Sequence, residues 1–235
     1  MRSRWGRPTA VGLTATFAVI AVLETVSLLA TPWGQGLIAS DIVQGYLPAA
    51  SRFLATGSPY LPAQVAGPWQ LGVHSFIHPP IALALFVPYL YLPLALWWIV
   101  PVGLVTAALR RLNPSDWAWP VMAACLVWPR SVGSVVAGNT DVWAMAAVAA
   151  GSAWGWPVVL LAVKPTLAPL AVVAIRRRSA WIGAVIVAMA SVAMLPLWID
   201  WLHVIANAGL SWTYSLANLP LVAAPAVAWL ARRRT

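Results

Sequence analysis

The sequence predicts an all-α, polytopic membrane protein: a helical bundle with short or re-entrant helices and one amphipathic helix in an external loop. Hydrophobic residues make up 62% of the 235 residues, charged residues only 8%, and the mean hydropathy is +0.83. Such a chain cannot close as a soluble globule without exposing large apolar areas. Runs such as residues 9–30 and 180–199 have the roughly 20 apolar residues that cross about 30 Å of hydrocarbon as helix. Alternation with period two is absent, which excludes a transmembrane β-barrel.

Taken in order, the first element is the span at 9–30, preceded by Arg2, Arg4 and Arg7. Its apolar run exceeds the core of a signal peptide, and no A-x-A cleavage site follows. The arginines ahead of it place the N-terminus in the cytoplasm. Residues 31–77 then form a long external loop. Within it, Asp41, Gln44, Gly45 and Arg52 alternate with Ile42, Leu47, Ala50 and Phe53 in the pattern of an amphipathic helix capped by Ser40 or Asp41. Residues 79–109 return the chain along a path broken by Pro88, Pro93 and Pro101. Residues 117–136 cross outward again, bringing "AGNTD" to the external face. The apolar pieces that follow are too short to span as straight helices. They predict one shortened crossing and a re-entrant hairpin over 156–175 with Lys164-Pro165 at its tip. Residues 180–199 go out, 200–212 form a second external loop holding Trp212, and the last span returns to Arg232, Arg233 and Arg234. Both termini are thus cytoplasmic, in a single membrane domain over residues 1–235.

The formal net charge of +9 does not point to nucleic acid. All but three of the 14 cations sit at span ends, where they act as topology signals facing anionic lipid heads. The three are Arg52, Arg130 and Lys164, and the charge-placement rule does not require them. Among the five acids, Asp116 reads as solvated surface, Asp200 as an interface anchor, and Glu24 as a carboxylate near enough to the interface to reach water. Asp41 and Asp141 are the informative ones, both on the external side. Most tryptophans, Trp69, Trp198 and Trp201 included, read as interfacial anchors. The lone Cys125 excludes an internal disulfide. His74 and His78 have the spacing of a metal pair, but Pro79 disfavours helix there and no third ligand follows, so no metal site is predicted. His203, Asn207 and Tyr214 lie near the second loop without a pattern.

"SDIVQGYLPAASRFLATGSPYLP", "FIHPPIALALFVPYLYLP", "GNTDVWAMAAVAAG" and "LAVKPTLAPLAVVAIRRRSAW", in that order, resemble glycosyltransferase family 87, the polyprenol-phosphate-mannose-dependent mannosyltransferases of GT-C fold. The resemblance implies a GT-C-like bundle in a bacterial plasma membrane, that of an actinobacterium on residue usage. Its active site would be external, and it would move a sugar from a polyprenyl-phosphate donor to a glycolipid or glycan acceptor. The lipid-linked sugar is a substrate, so no cofactor is implied. Asp41 matches the general base. Lys164, Arg52, Arg130 and His78 are implied as contacts to the donor phosphate, and Tyr46, Tyr60, Asn139 and Asp141 as the sugar and acceptor pocket. "HPP" stands where the family usually has an aromatic before two prolines, and "GNTD" where Gly-Gln is frequent. The chain is shorter than usual members, which leaves a compact enzyme, a subunit completed by a second membrane chain, a pseudoenzyme or a truncated product. The alternative class is a polyprenyl-lipid carrier or non-catalytic envelope subunit. For a carrier, the inverted internal symmetry that transporters show is missing from the sequence.

Overall fold

The computed structural model describes residues 6–209 and 217–233. Expectations placed on Arg2, Arg4, Trp212, Tyr214 and Arg234 lie outside the described residues. Those described are helical, apart from loops and one isolated bridge between Pro114 and Arg232. The first helix, α1 (Arg7–Leu29), starts with Pro8 in its first turn, where a missing N–H costs nothing. It is the one unbroken helix among the described residues long and apolar enough to cross a membrane. Short α2 (Pro32–Leu37) follows, capped by the Thr31 hydroxyl.

The expected helix from Asp41 forms, but neither Ser40 nor Asp41 caps it. Residues Ile42–Tyr46 make a π-helical turn that runs directly into α3 (Leu47–Thr56). Pro48 has no N–H to give, and the wider turn accommodates the break in the hydrogen-bond ladder. After α4 (Pro62–Ala66), the broken return path consists of a 3₁₀ turn at Pro80–Ala82, α5 (Leu83–Phe86), another 3₁₀ turn at Val87–Leu90, and α6 (Leu96–Leu112) with Pro101 inside it.

Two expected straight spans are bent. Residues 117–136 become α7 (Ala118–Leu126) and α8 (Pro129–Ala137), turned by 66°. Trp128, held extended ahead of Pro129, cannot continue the helix. Likewise α10 (Arg178–Ala193) and α11 (Leu195–Asn207) meet at 87°, with Pro196 in the first turn after the break. Counting each bent pair as one span gives up to three candidates. The expected second external loop is therefore mostly helix: α11 folds down onto the first loop. The Trp69 indole donates to Val204 O at 2.9 Å, Trp201 to Ile77 O at 2.9 Å, and Asn207 to Val65 O at 2.8 Å. Trp69 and Trp201 are thus loop clamps rather than free interface anchors.

At the centre runs α9 (Asp141–Trp154), buried along nearly its whole length. Its alanine-rich surface lets neighbours approach closely. Trp97 of α6 meets Trp143 edge to face at its start, and Ala108 packs with Ala149 and Ala153 near its end, so α6 and α9 run parallel. The last helix, α12 (Leu219–Leu230), runs the same way: Asn218 before it reaches Asp141, and Trp229 near its end packs with Val173 and Ala174.

The chain after α9 forms the hairpin expected at 156–175. Two 3₁₀ segments, Trp156–Val163 and Pro165–Ala174, form its arms, and Lys164 breaks them at the tip. At 2.0 Å per residue the longer arm covers about 20 Å, matching the roughly 21 Å of a 14-residue α-helix. Short apolar pieces thereby reach the far end of α9. The base of the hairpin is closed by Gly155 (φ 92°), where a Cβ would strike the Ser179 hydroxyl and Arg177. Outside this assembly, α1 and α10 turn apolar faces outward, with Val19, Val22 and Leu23 on one and Ile182, Ile186 and Met189 on the other.

Candidate functional site

One cavity of about 220 Å³ draws its walls from four separate stretches of sequence: Ser40 to Tyr46, the loop from Leu71 to His78, Asn139, and Lys164. Asp41 arrives immediately ahead of the π turn. Asn139 is placed by the end of α8, where Gly138 (φ 71°) turns the chain in a conformation a side chain would strain and a Cβ would collide with Ile42. Lys164 arrives at the hairpin tip.

A single hydrogen-bonded chain joins them. Asn139 donates through Nδ2 to Asp41 Oδ2 at 2.7 Å. Its Oδ1 accepts from the Asp141 backbone N–H at 3.1 Å and from Lys164 Nζ at 3.5 Å. Lys164 Nζ lies 2.5 Å from Asp141 Oδ1, and Asn218 donates to the other oxygen of Asp141. The Asp141 side chain is 0% exposed and that of Lys164 11%. A lysine ammonium and a carboxylate so far from water hold each other, because either alone would be strongly penalised. Asp141 also stands in the first turn of α9, where the positive end of the helix favours an anion. Asp41 is only half-buried. Burial raises its carboxyl above the ordinary 3.8, while the Asn139 hydrogen bond, the Lys164 charge and the Tyr46 hydroxyl hold part of that rise back.

His78 lies against this cavity with its ring buried and Nδ1 3.1 Å from Val163 O. A carbonyl only accepts, so Nδ1 carries the hydrogen and Nε2 is an acceptor. Burial, with the nearby charge of Lys164, pushes the imidazole down to about 4. His78 is therefore a neutral acceptor at ordinary pH, which suits a hydroxyl donor better than a phosphate. Below the cavity lies an aromatic cluster: Tyr46 stacks on Phe86 at 4.5 Å, beside Phe76 and fully buried Trp97.

The residues predicted from sequence divide clearly. Asp41, Tyr46, His78, Asn139 and Lys164 all line the cavity. Asp141 stands behind it, as the partner of Lys164. Tyr60 is buried outside it, its hydroxyl donating to His78 O at 3.0 Å. Arg52 also stays out: its guanidinium donates to Pro59 O and to His74 O, stapling α3 to the loop that folds over it. Arg130 lies exposed at the start of α8, away from the cavity. Asp116, expected to be merely solvated, pairs with Arg233 at 3.0 Å.

Three polar residues that hold the site were not predicted. Gln64, 1% exposed, donates to Phe76 O at 3.1 Å and accepts from Leu61 N at 3.1 Å, fixing the loop from inside. Asn207 clamps the same loop from α11. Asn218 had a readable signal, an Asn two residues before a proline at a helix start, but its side chain binds Asp141 rather than capping α12. Among the described residues no cluster of His, Cys, Asp and Glu is arranged to hold a metal ion. Comparison with family models, curated proteins and solved structures returns no match for this chain.

Proposed function

We propose that this chain is a membrane glycosyltransferase. It would transfer a sugar, by resemblance mannose, from a polyprenyl-phosphate donor to a glycolipid or glycan acceptor at the outer leaflet of a bacterial plasma membrane. On this reading the chain is a multi-pass GT-C-like bundle with its arginine-rich end cytoplasmic and the cavity external. One observation carries the proposal: Asp41 and Lys164, on the first loop and a distant hairpin tip, face one cavity and are linked through Asn139.

The chemistry follows from those positions. The acceptor hydroxyl gives its proton to the Asp41 carboxylate as its oxygen bonds to the anomeric carbon, while the bond from that carbon to the phosphate oxygen breaks. One base opposite the leaving group suffices, and the configuration inverts. A raised carboxyl pKa makes Asp41 the stronger base. Asn139 fixes the direction of its oxygens. The departing phosphate is received at the Lys164 side. Because Asp141 already offsets that charge, the N-terminal ends of α9 and α12 supply the remaining positive field. The acceptor atom of His78 is placed for a sugar hydroxyl. The cavity is smaller than the roughly 300–1,000 Å³ of drug-sized pockets, which fits one sugar ring with the isoprenoid left in the bilayer.

The test is turnover. Protein in lipid vesicles, given polyprenyl-phosphate-mannose and candidate acceptors, yields glycosylated product, and Asp41→Asn abolishes it. Lipid movement without product, unchanged by that substitution, would instead identify a carrier.

A further inference from the structure

At the opposite end of the molecule a second polar cavity of about 690 Å³ opens among Arg7, Arg110, Asn113, Asp116, Trp119 and Arg233. We propose that it binds the headgroup of an anionic phospholipid. The inference rests on the membrane placement proposed above and is independent of sugar transfer.

The cavity is assembled from four parts of the chain. Arg7 begins α1, Arg110 stands in the last turn of α6, Trp119 is on α7, and Arg233 follows α12. The segment after α12 is tied in place: Ser115 donates to Ala231 O through its backbone N–H at 2.9 Å and its hydroxyl at 2.7 Å. Three arginines thus line the cavity with one acid, Asp116, which is already paired with Arg233. Helix ends account for only part of this charge. Arg110 sits at the negative end of α6, where a cation is favoured on its own. Arg7 sits at the positive end of α1, where the helix dipole disfavours a cation, so an anion bound beside it would offset that term.

The depth is right for a headgroup. Arg7 is the first residue of the helix long enough to span, so the cavity lies at one end of that span, at the level of lipid phosphates. Trp119, 40% exposed, lines the rim, an indole at the height where lipid headgroups meet acyl chains. A phosphodiester between Arg7 and Arg110 gains bidentate hydrogen bonds from planar guanidinium groups. Its acyl chains would extend along the apolar exterior of α1. Free phosphate shares the charge but lacks that apolar contact.

Purified protein in mild detergent is titrated with phosphatidylglycerol, with phosphatidylcholine of the same acyl chains, and with inorganic phosphate. Native mass spectrometry counts bound lipid, and thermal unfolding reports stabilisation. Phosphatidylglycerol is expected to be retained and to raise the unfolding midpoint, while phosphatidylcholine and phosphate do neither. The double variant Arg7→Gln, Arg110→Gln is expected to bind phosphatidylglycerol roughly 25-fold more weakly, about fivefold per arginine. Arg130→Gln, outside the cavity, leaves binding unchanged. Equal retention of the two lipids, phosphate acting as well as phosphatidylglycerol, or full binding by the double variant would overturn the proposal. Should the double variant not fold, the wild-type comparison of the three ligands still decides.

Discussion

At one end of the parallel helices α6, α9 and α12, helix N-termini meet a buried network in which nearly every charge has a named partner. At the other end, C-termini meet arginines set in open cavities, with Asp116 as the one acid lining them. The helix field favours both arrangements, an anion such as Asp141 at the first end and cations such as Arg110 at the second. What separates the ends is water. Where it is nearly excluded, Lys164 needs Asp141, and half-buried Asp41 is held by Asn139. Where it is present, Arg176 stands exposed. Replacing single charges should therefore be severe at the buried end and mild at the open one.

The largest effect is expected at Asp41. Asp41→Asn should lower turnover by about a hundred- to ten-thousandfold, the usual contribution of a general base. In the wild type, turnover should rise with pH as the carboxyl ionises, with a midpoint above 3.8. Stability should move the opposite way. The folded chain holds the Asp41 proton more tightly than the unfolded chain does. The fold therefore loses stability as pH rises from about 3.8 through the raised value. Asp41→Asn removes that penalty and still accepts the Asn139 hydrogen bond. Its unfolding midpoint at neutral pH should equal or exceed that of the wild type. A large drop in the midpoint would make Asp41 a structural group instead.

Next comes the ion pair. Asp141→Asn strands the Lys164 ammonium in a nearly dry site, a change that costs about 3–5 kcal/mol. Thermal unfolding of the purified protein measures the loss. Adding Lys164→Met to the same chain should recover most of it, since the stranded charge is gone, while turnover stays lost. No recovery would mean that the two residues do not depend on each other.

The same division by water explains what could be read in the sequence. The arginine end was legible because exposed charges follow a rule about loops and spans that needs no partner. The hairpin was legible because a lysine followed by proline interrupts apolar pieces too short to span. The bends at Pro129 and Pro196 were signalled by those prolines, but long apolar runs on either side read as continuous spans. Asp41 and Lys164 stood out as charges without a topological reason. Their junction did not, because an Asn just ahead of a helix start, as Asn139 is before α9, is an ordinary helix cap by sequence pattern. Arg52 shows the limit most clearly. Its place on the polar side of a helix suggests a free cation, and only the fold of the loop over α3 brings the carbonyls of Pro59 and His74 within its reach.

Arg52 therefore tests an intermediate case, a charge held by neutral groups. Arg52→Gln should destabilise the protein by about 1.5–3 kcal/mol, the range for hydrogen bonds involving a charged group. It should weaken acceptor binding more than the chemical step, since it loosens a cavity wall without touching Asp41.

The smallest effect belongs to the open end. Arg176 is exposed beside Arg177, whose guanidinium donates to Ser152 O at 3.1 Å and so helps close the base of the hairpin. Arg176→Gln removes a charge that water and lipid already solvate, and should shift stability by less than about 0.5 kcal/mol. Arg177→Gln, one residue on, should cost more, because Ser152 O near the buried end of α9 would lose its donor. Measured by thermal unfolding in the same detergent, the pair separates charge from hydrogen bonding at this end. Equal losses for the two would mean that net charge, rather than the identity of the partner, governs the arginine end, and the contrast with the buried network would shrink to one of degree.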